Sequence, residues 1–477
     1  NTAIIALLEK LDPHSTFISK DEVSGANERI NGNFVGVGIR FQILKDTLMV
    51  VATISGGPSE KIGLLAGDKI VTIGDNNVAG IGLKNSDVRK KLLGDKGTKV
   101  DVEIIRKYAQ KKINFTITRD IIPVHSVDAA YMVTPETGYI KLNTFSRTSQ
   151  KEVHTAIGKL KKEGMNNLIF DLQGNGGGLL YAAKYLSDEF LSKDKLIVYS
   201  KGRIQPRIDL NSEKKGLWEK GKLILLTDES SASASEIMSG AIQDWDRGLI
   251  VGRRTFGKGL VQRPVELSDG SQMRLTIARY YTPSGRFIQK PYDDVEAYRN
   301  DLNNRYENGE FMSQDSISFP DSLKHTTLIK KRTVYGGGGI MPDYFVPLDT
   351  NGISEYFTSL IRGGHLNAFT LSYVNDNRKK MAKAYPEFSS FKKDFIVDEK
   401  FIEQLAKYAE KEDSTLTFNK EGYKESEKIL KLRIKAILAQ NLWGYPEFYE
   451  IYNDSNEILQ RALEIIESEE YDKSGLE

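Results

Sequence analysis

The chain is organised around two runs of sequence, Asp228-Glu-Ser-Ser-Ala-Ser-Ala-Ser-Glu-Ile237 and Gly252-Arg-Arg-Thr-Phe-Gly-Lys-Gly-Leu-Val-Gln262. An apolar run at Lys222–Thr227 precedes the first of them and predicts a buried strand that leads into a tight turn. After the turn, apolar residues recur at three- and four-residue spacing as far as Trp245, which predicts a helix with one apolar face. Ser233 is therefore expected at the N-terminus of that helix.

A serine at this position has two interpretations. Unpaired amides and the helix dipole favour negative charge there, and the oxygen of an attacking serine becomes negative as it loses its proton. Serine is also a preferred N-cap residue, so Ser231, Ser233 and Ser235 can equally be capping residues. The local sequence leaves both interpretations open.

The second run places Lys258 in a Gly-Lys-Gly corner, followed by a pattern typical of extended chain. A lysine acts as a general base only when it is neutral, so it must be removed from water to lower a pKa of about 10.4. Gln262 lies on the same side of a regular strand and can accept a hydrogen bond from the amine. Most lysines are exposed, so the corner alone does not define a chemistry.

Three motifs together resemble the core of the carboxyl-terminal processing peptidases, also called tail-specific proteases. The resemblance implies Ser233 as the nucleophile, Lys258 as the general base and Gln262 as the residue that orients the lysine. It also implies an oxyanion hole made by the amides of Gly178 and Ala234, each donor contributing on the order of 3 kcal/mol. The motifs are Ser-Ala-Ser-Ala-Ser-Glu-Ile at 231–237, Arg-Arg-Thr-Phe-Gly-Lys-Gly-Leu-Val-Gln at 253–262, and Ala-Arg-Tyr-Tyr-Thr-Pro-Ser-Gly-Arg-Phe-Ile-Gln at 278–289.

Two glycine-rich runs also have a nucleotide-binding interpretation. The run Gly-Asn-Gly-Gly-Gly at 174–178 lies between a predicted strand and a predicted helix, but it lacks the full dinucleotide spacing. Gly252 and Lys258 have the spacing of a P-loop, yet Gly259 stands where a Ser or Thr should hold magnesium, and extended chain follows. A nucleotide-dependent enzyme is therefore a weaker alternative.

A small-domain pattern extends from about residue 33 to 119 and resembles a PDZ domain. Its glycine-bearing turn contains Gly36, Val37, Gly38 and Ile39, directly ahead of a predicted strand. Successive amides in such a turn can bind a terminal carboxylate while an extended peptide adds beside the strand. The alternative is that the two glycines only shape a hairpin or a bulge.

The remaining patterns predict a mixed α/β (α+β) fold. Strands and helices alternate from 120 to 348, which predicts an α/β layer structure. Within it, the polar run 290–322 is expected to be an inserted loop or lid, and its composition is compatible with partial disorder. The predicted domains are an N-terminal helical segment (1–32), a PDZ-like domain (33–119), a serine-protease core (120–348) and a helical extension of unknown role (349–477).

Composition narrows the classes of function. The 477 residues suggest about three domains, and a formal charge of +2 provides no basic field for nucleic acid. No apolar run is long enough to predict a transmembrane segment. The absence of cysteine excludes thiol nucleophiles, and the five histidines include no His-x-x-x-His pair for a metalloprotease. We therefore expect no cofactor and no metal.

The sequence begins at Asn1, without an initiator Met and already inside an amphipathic pattern. The simplest interpretation is a trimmed chain, and earlier removal of a signal peptide or a lipid anchor is compatible with it. The resemblance implies a location in the bacterial cell envelope, in the periplasm. His14 lies in a run that also resembles the family, Leu11-Asp-Pro-His-Ser-Thr-Phe17, and we assign it a helix-terminus or packing role because nothing local connects it with Ser233.

Together these patterns predict a serine endopeptidase with a Ser/Lys dyad. Its partners are protein or peptide substrates whose unstructured C-terminal tail is bound by the PDZ-like domain. A homo-oligomer is compatible with the sequence. The main alternative is a non-catalytic scaffold that keeps the PDZ-like domain on a decayed protease fold, and the presence of Ser233, Lys258 and Gln262 argues against it.

Overall fold

The computed structural model describes residues 1–107 and 109–476. It divides into two compact units: the first comprises 1–32, 125–349 and 456–477, and the second comprises 33–124 and 350–455. The helices are α1 (Thr2–Glu9), α2 (Lys20–Asn31), α3 (Pro58–Lys61), α4 (Asn85–Leu92), α5 (Ser149–Lys162), α6 (Leu180–Ser187), α7 (Ala234–Asp244), α8 (Val295–Arg299), α9 (Asp301–Glu307), α10 (Glu355–Arg362), α11 (His365–Ala384), α12 (Phe388–Asp394), α13 (Glu399–Glu412), α14 (Lys420–Leu442), α15 (Tyr445–Tyr452), α16 (Glu457–Glu467) and α17 (Glu469–Lys473).

The strands are β1 (Thr16–Ile18), β2 (Asn33–Gly36), β3 (Ile39–Ile43), β4 (Leu48–Thr53), β5 (Lys69–Ile73), β6 (Asn76–Asn77), β7 (Lys99–Ile105), β8 (Ile113–Thr118), β9 (Asp120–Pro123), β10 (Val127–Met132), β11 (Thr137–Leu142), β12 (Asn167–Asp171), β13 (Leu196–Lys201), β14 (Ile208–Asn211), β15 (Lys222–Thr227), β16 (Leu249–Gly252), β17 (Leu260–Glu266), β18 (Gln272–Tyr281), β19 (Lys324–Thr326), β20 (Thr333–Tyr335) and β21 (Tyr344–Phe345).

The first unit is built on a sheet with strand order β10-β11-β12-β15-β16-β21. All neighbours are parallel except β10, which is antiparallel to β11. Leu223, Ile224, Leu225 and Leu226 in β15 are all fully buried, as expected for a parallel strand covered on both faces. Helices α5, α6 and α7 share one apolar core with this sheet. The loops after β12 and β15 leave the same edge, where α/β sheets place their sites.

A second sheet in this unit carries the lysine corner. Its strand order is β1-β18-β13-β14, and β17 pairs with β18 as an antiparallel hairpin. The hairpin turn contains Asp269 and Gly270, as the sequence predicts. Lys258 lies two residues before β17, and Gln262 lies inside it, next to a register shift. Extended chain therefore follows Lys258, as expected.

The polar insertion at 290–322 forms α8, α9 and short 3-10 turns, so it is not a plain loop. Two of its charged residues pair within the insertion: Arg305 is buried and donates to Glu310 at 2.7 Å. Arg305 also donates to the carbonyls of Arg254 and Thr255. These bonds attach the insertion to the segment just ahead of Lys258.

The second unit combines the PDZ-like domain with helices α10 to α15. The domain has the sheet order β3-β4-β5-β7-β8, and β3 lies at the edge of that sheet. Its core includes apolar residues of α4, whereas the helices have a core of their own. Within this unit Lys107 pairs with Asp376 at 2.7 Å, and Lys45 pairs with Glu412 at 3.5 Å. The predicted helical extension is confirmed, and its last part, 456–477, belongs to the first unit.

Among the helices that the structure describes, none has both the length and the apolarity needed to cross a bilayer.

Candidate active site

Ser233 is the N-cap of α7 and follows the turn after β15, so its predicted position at a helix N-terminus is confirmed. Its backbone is strained, with φ 57° and ψ −110°. A residue with a side chain in such a conformation costs about 1–3 kcal/mol, and strain of this kind clusters at functional sites. A sharp strand-turn-helix connection is also how α/β hydrolases expose a nucleophilic serine.

The strained conformation is held by neighbouring groups. Ser233 N donates to the Glu236 carboxylate at 2.8 Å, and Ser233 O accepts from the amide of Glu236 at 2.9 Å. On the other side, Ala232 N donates to Asn175 O at 3.0 Å, and the Ser235 hydroxyl donates to the same carbonyl at 2.8 Å. Hydrogen bonds on both sides of Ser233 therefore hold the turn in place.

Lys258 is aimed by Gln262, as the sequence predicts. Its Nζ donates to Gln262 Oε1 at 3.0 Å across four residues. Burial lowers the pKa of the Lys258 amine, and the nearby charge of Glu236 offsets this only in part. A lowered pKa increases the neutral fraction of the amine near pH 7, which is the fraction that can accept a proton.

Two side chains join the backbones of Ser233 and Lys258. Glu236 Oε2 accepts from the amide of Ser233 and from the amide of Lys258, both at 2.8 Å. The Tyr280 hydroxyl lies 3.1 Å from Ser233 O and also donates to Lys258 O. In the described part of the chain, no hydrogen bond links Ser233 Oγ with Lys258 Nζ. The two residues are thus brought together through their backbones, and the amine is directed by Gln262.

The sequence analysis missed Glu236. This residue is fully buried, and its other oxygen accepts from the Thr255 hydroxyl and the amide of Gly257. Burial raises the pKa of Glu236, while hydrogen bonds from Thr255, Lys258, Gly257 and Ser233 oppose that shift. The signal was present in the sequence, because Glu follows Ser233 at the third position, as in a capping box.

The glycine loop after β12 lies beside the serine turn. Gly178 has φ 147°, and a side chain at this position would overlap the carbonyl of Phe145, so only glycine fits. A side chain at Gly177 would lie 2.9 Å from the amide of Ala234. Neither Gly178 N nor Ala234 N donates to an acceptor within residues 1–107 and 109–476. Both predicted oxyanion-hole amides therefore remain available as donors.

The loop geometry argues against a bound nucleotide. Gly174 N donates to the Asp228 carboxylate at 2.9 Å and 3.0 Å, so a phosphate in this loop would face a carboxylate. Lys258 is followed by β17 and not by the helix that a P-loop requires. Both observations weaken the nucleotide interpretation.

The predicted peptide-binding turn lies in the second unit, between Gly36 at the end of β2 and Ile39 at the start of β3. Val37 O accepts from the amide and the hydroxyl of Ser59, at 3.1 Å and 2.6 Å. Gly38 has φ 76°, a conformation that favours glycine. The amides of Val37 and Gly38 donate to no acceptor among the residues described. Free donors therefore stand beside the edge strand β3, as carboxylate capture requires.

His14 lies close to Gln262 and Lys258. Its carbonyl accepts from Gln262 Nε2, and its ring Nε2 forms a hydrogen bond with the Tyr298 hydroxyl. Burial, and then the charge of Lys258, lowers the pKa of His14 to about 4. The imidazole is therefore neutral at neutral pH, and no bond connects it with Ser233 among the described residues.

Comparison with known proteins agrees with this geometry. Residues 136–296 match the model of peptidase family S41, and residues 35–117 match the model of the PDZ domain. The chain therefore carries an S41 peptidase domain preceded by a PDZ domain. The resemblance to the carboxyl-terminal processing peptidases is confirmed, and so is the mixed α/β fold with a helical C-terminal region. Residues 356–444 match a family of unknown function, DUF8443.

Individual relatives are similar over much of the chain. The carboxy-terminal processing protease CtpA of Bacillus subtilis (strain 168) is 34% identical over 289 residues, covering 60% of this chain and 61% of the relative. The carboxy-terminal-processing protease of Bartonella bacilliformis is 36% identical over 292 residues, covering 60% and 66%. A solved photosystem II D1 C-terminal processing protease is 31% identical over 60% of this chain and 77% of its own, with a TM-score of 0.35. The chain spans less than two thirds of the length of these curated relatives.

Proposed function

We propose that this protein is a serine endopeptidase in which Ser233 is the nucleophile, Lys258 the general base and Gln262 the residue that orients the base. One observation carries the proposal: a single buried carboxylate, Glu236, bonds to the backbones of both Ser233 and Lys258. The backbones of the strained serine and of Lys258 are thereby held by the same carboxylate oxygen. A decayed fold would have no need to maintain such strain.

The proposed reaction follows from these groups. Neutral Lys258 accepts the proton of Ser233 Oγ as the oxygen attacks a peptide carbonyl. The amides of Gly178 and Ala234 donate to the oxyanion of the tetrahedral intermediate. The Lys258 ammonium then gives its proton to the departing amine, and water hydrolyses the acyl-enzyme. No step requires a metal.

We further propose that the PDZ domain selects the substrate by its C-terminal tail. The amides at Val37 and Gly38 would bind the tail carboxylate, and the tail would extend along β3. Since both domains share one chain, a bound tail raises the effective concentration of substrate at Ser233. The relatives named above are carboxy-terminal processing proteases, which supports this substrate class. A periplasmic location in the cell envelope and a homo-oligomer stay predictions.

Catalysis is tested by turnover of an unfolded protein with a free C-terminal tail. Ser233→Ala and Lys258→Ala should each lower kcat by at least about 10³-fold, because dyad members act as a unit. Ser230→Ala, on the same turn, and Lys220→Ala are matched exposed controls that should keep full activity. Equal turnover by all four variants would favour the scaffold alternative.

Tail recognition is tested on the intact enzyme by changing only the substrate. Amidation of the tail carboxylate removes the charge that the turn would bind, so KM should rise about tenfold while kcat stays within twofold, as expected for lost ground-state binding. A substrate whose tail is replaced by a glycine-serine run of equal length is the control for tail sequence. If the free and amidated tails give the same KM, carboxylate capture is wrong.

A further inference from the structure

The segment Asp12–Ser15 lies outside the part of the chain that matches family S41, and it forms a turn held by one carboxylate. Asp12 Oδ1 accepts from the amides of His14 and Ser15 at 2.8 Å and 2.9 Å, and Oδ2 accepts from the Ser15 hydroxyl at 2.6 Å. Burial favours the neutral acid, yet the bonds from Ser15 and His14 hold the pKa of Asp12 below its usual value. The turn is therefore closed around a charged, 8% exposed carboxylate.

This turn is attached to the sheet that carries Gln262. The Thr276 hydroxyl donates to Asp12 Oδ1 at 3.0 Å, and the Thr276 amide donates to the Ser15 hydroxyl at 3.1 Å. Thr276 is also the residue of β18 that faces Gln262 in the hairpin register. The turn and Gln262 thus share one anchor residue. Strand β1 continues directly from the turn and pairs with β18.

The attachment places the main-chain carbonyl of His14 against the Gln262 amide. Gln262 Nε2 donates to His14 O, while Gln262 Oε1 accepts from Lys258 Nζ at 3.0 Å. A glutamine amide has one donor end and one acceptor end, and a carbonyl can only accept. The carbonyl of His14 therefore selects the orientation that turns the glutamine oxygen toward the amine. In the reversed orientation, two acceptor oxygens would face each other at His14 O, and the glutamine NH₂ would face the Lys258 amine.

We propose that the Asp12–Ser15 turn is a positioning element for the Lys258 base, acting through the orientation of Gln262. With Gln262 Oε1 as the acceptor, the neutral amine donates one hydrogen to the glutamine and keeps its lone pair for the Ser233 proton. The proposal deepens the proposed function and rests on it, because it assigns Lys258 the role of the base. If the turn only anchored the N-terminal segment, the orientation of Gln262 would not depend on Asp12.

A double-mutant cycle separates these two roles. Asp12→Ala and Gln262→Ala should each lower kcat about 10- to 100-fold, as expected for a misplaced catalytic group. The double variant should be no slower than Gln262→Ala alone, since both changes remove the same orientation. Effects that multiply in the double variant would show a separate structural role and overturn the proposal. Asp12→Asn keeps an oxygen for the three donors to Oδ1 and should stay within about threefold of the wild type.

Asp269→Ala is the matched control, because Asp269 closes a similar turn on the same hairpin by accepting from the amide and hydroxyl of Ser271. It should keep full activity. A second readout does not depend on turnover: the pH titration of the Lys258 side-chain nitrogen, followed by ¹⁵N NMR. Asp12→Ala and Asp12→Asn both remove the carboxylate charge that raises the pKa of Lys258, but only Asp12→Ala removes the acceptor that holds the turn. The two variants should therefore differ in this titration when Gln262 is present and agree in the Gln262→Ala background. If turnover does not depend on Ser233 but Asp12 still affects the Lys258 titration through Gln262, the proposed catalytic function is wrong and the positioning role of the turn stands. Identical titrations in Asp12→Ala and Asp12→Asn refute the turn's role.

Discussion

The strained backbone at Ser233 should affect stability independently of the Ser233 hydroxyl, and two substitutions distinguish the two effects. Ser233→Ala and Ser233→Gly both remove the nucleophile, but only glycine removes the side chain that makes φ 57° costly. Relief of about 1–3 kcal/mol of strain, less about 0.4–1 kcal/mol for the greater freedom of glycine in the unfolded chain, leaves Ser233→Gly more stable by about 0–2.6 kcal/mol. The melting temperatures of Ser233→Gly and Ser233→Ala should differ by at most about 2–4 °C for each kcal/mol, given the size of the domain.

Thermal and denaturant unfolding of the two inactive variants would measure this difference. The same pair of substitutions at Ser230, which has no positive φ, should give the opposite order, with glycine the less stable residue by about 0.5–1 kcal/mol. If Ser233→Ala proves more stable than Ser233→Gly, by the margin expected at Ser230, the strained turn is not a feature of the native state, and the structural argument for an activated nucleophile fails.

Three further predictions follow from the same site. Glu236→Gln places an NH₂ group against two buried donors, and each unsatisfied donor costs about 1–3 kcal/mol. The free energy of unfolding should therefore fall by about 2–6 kcal/mol, and activity should fall as well. An unchanged melting temperature would argue against the shared anchor. Lys258→Met should raise the melting temperature at pH 7 while abolishing activity. The pKa of Lys258 in the folded chain lies below its unfolded value of 10.5, so the unfolded chain binds more protons and the lysine destabilises the fold at pH 7. The gain in melting temperature from Lys258→Met should therefore shrink as pH rises toward 10.5. Finally, kcat/KM should rise with pH through the lowered pKa of Lys258; a flat profile would contradict general-base catalysis by this amine.

Local periodicity was sufficient to predict much of the fold. The predicted limits of β15 agree with the structure, because the residues of a parallel strand that is buried on both faces are apolar in succession. The helices of the insertion at 290–322 were not predicted, because composition does not show that Arg305 and Glu310 pair in a buried position.

The candidate site was predictable only in part. Motif resemblance indicated Ser233, Lys258 and Gln262, and the structure places them near one another. Glu236 had a local capping signal, but its bond to the amide of Lys258 joins segments 22 residues apart in sequence. The contact of His14 with Gln262 spans 248 residues and passes through a main-chain carbonyl, for which no side-chain pattern exists. Such contacts depend on tertiary packing, so they cannot be predicted from the pattern of a single sequence.

The state of the Lys258 amine is the most direct test of the account. Its side-chain ¹⁵N signal can be assigned by its loss in Lys258→Arg and followed against pH in the Ser233→Ala protein. We expect the amine to titrate clearly below 10.5, so that a useful fraction is neutral at working pH. Titration at or above 10.5 would mean a charged lysine that cannot take a proton from serine, and the proposed mechanism would be wrong.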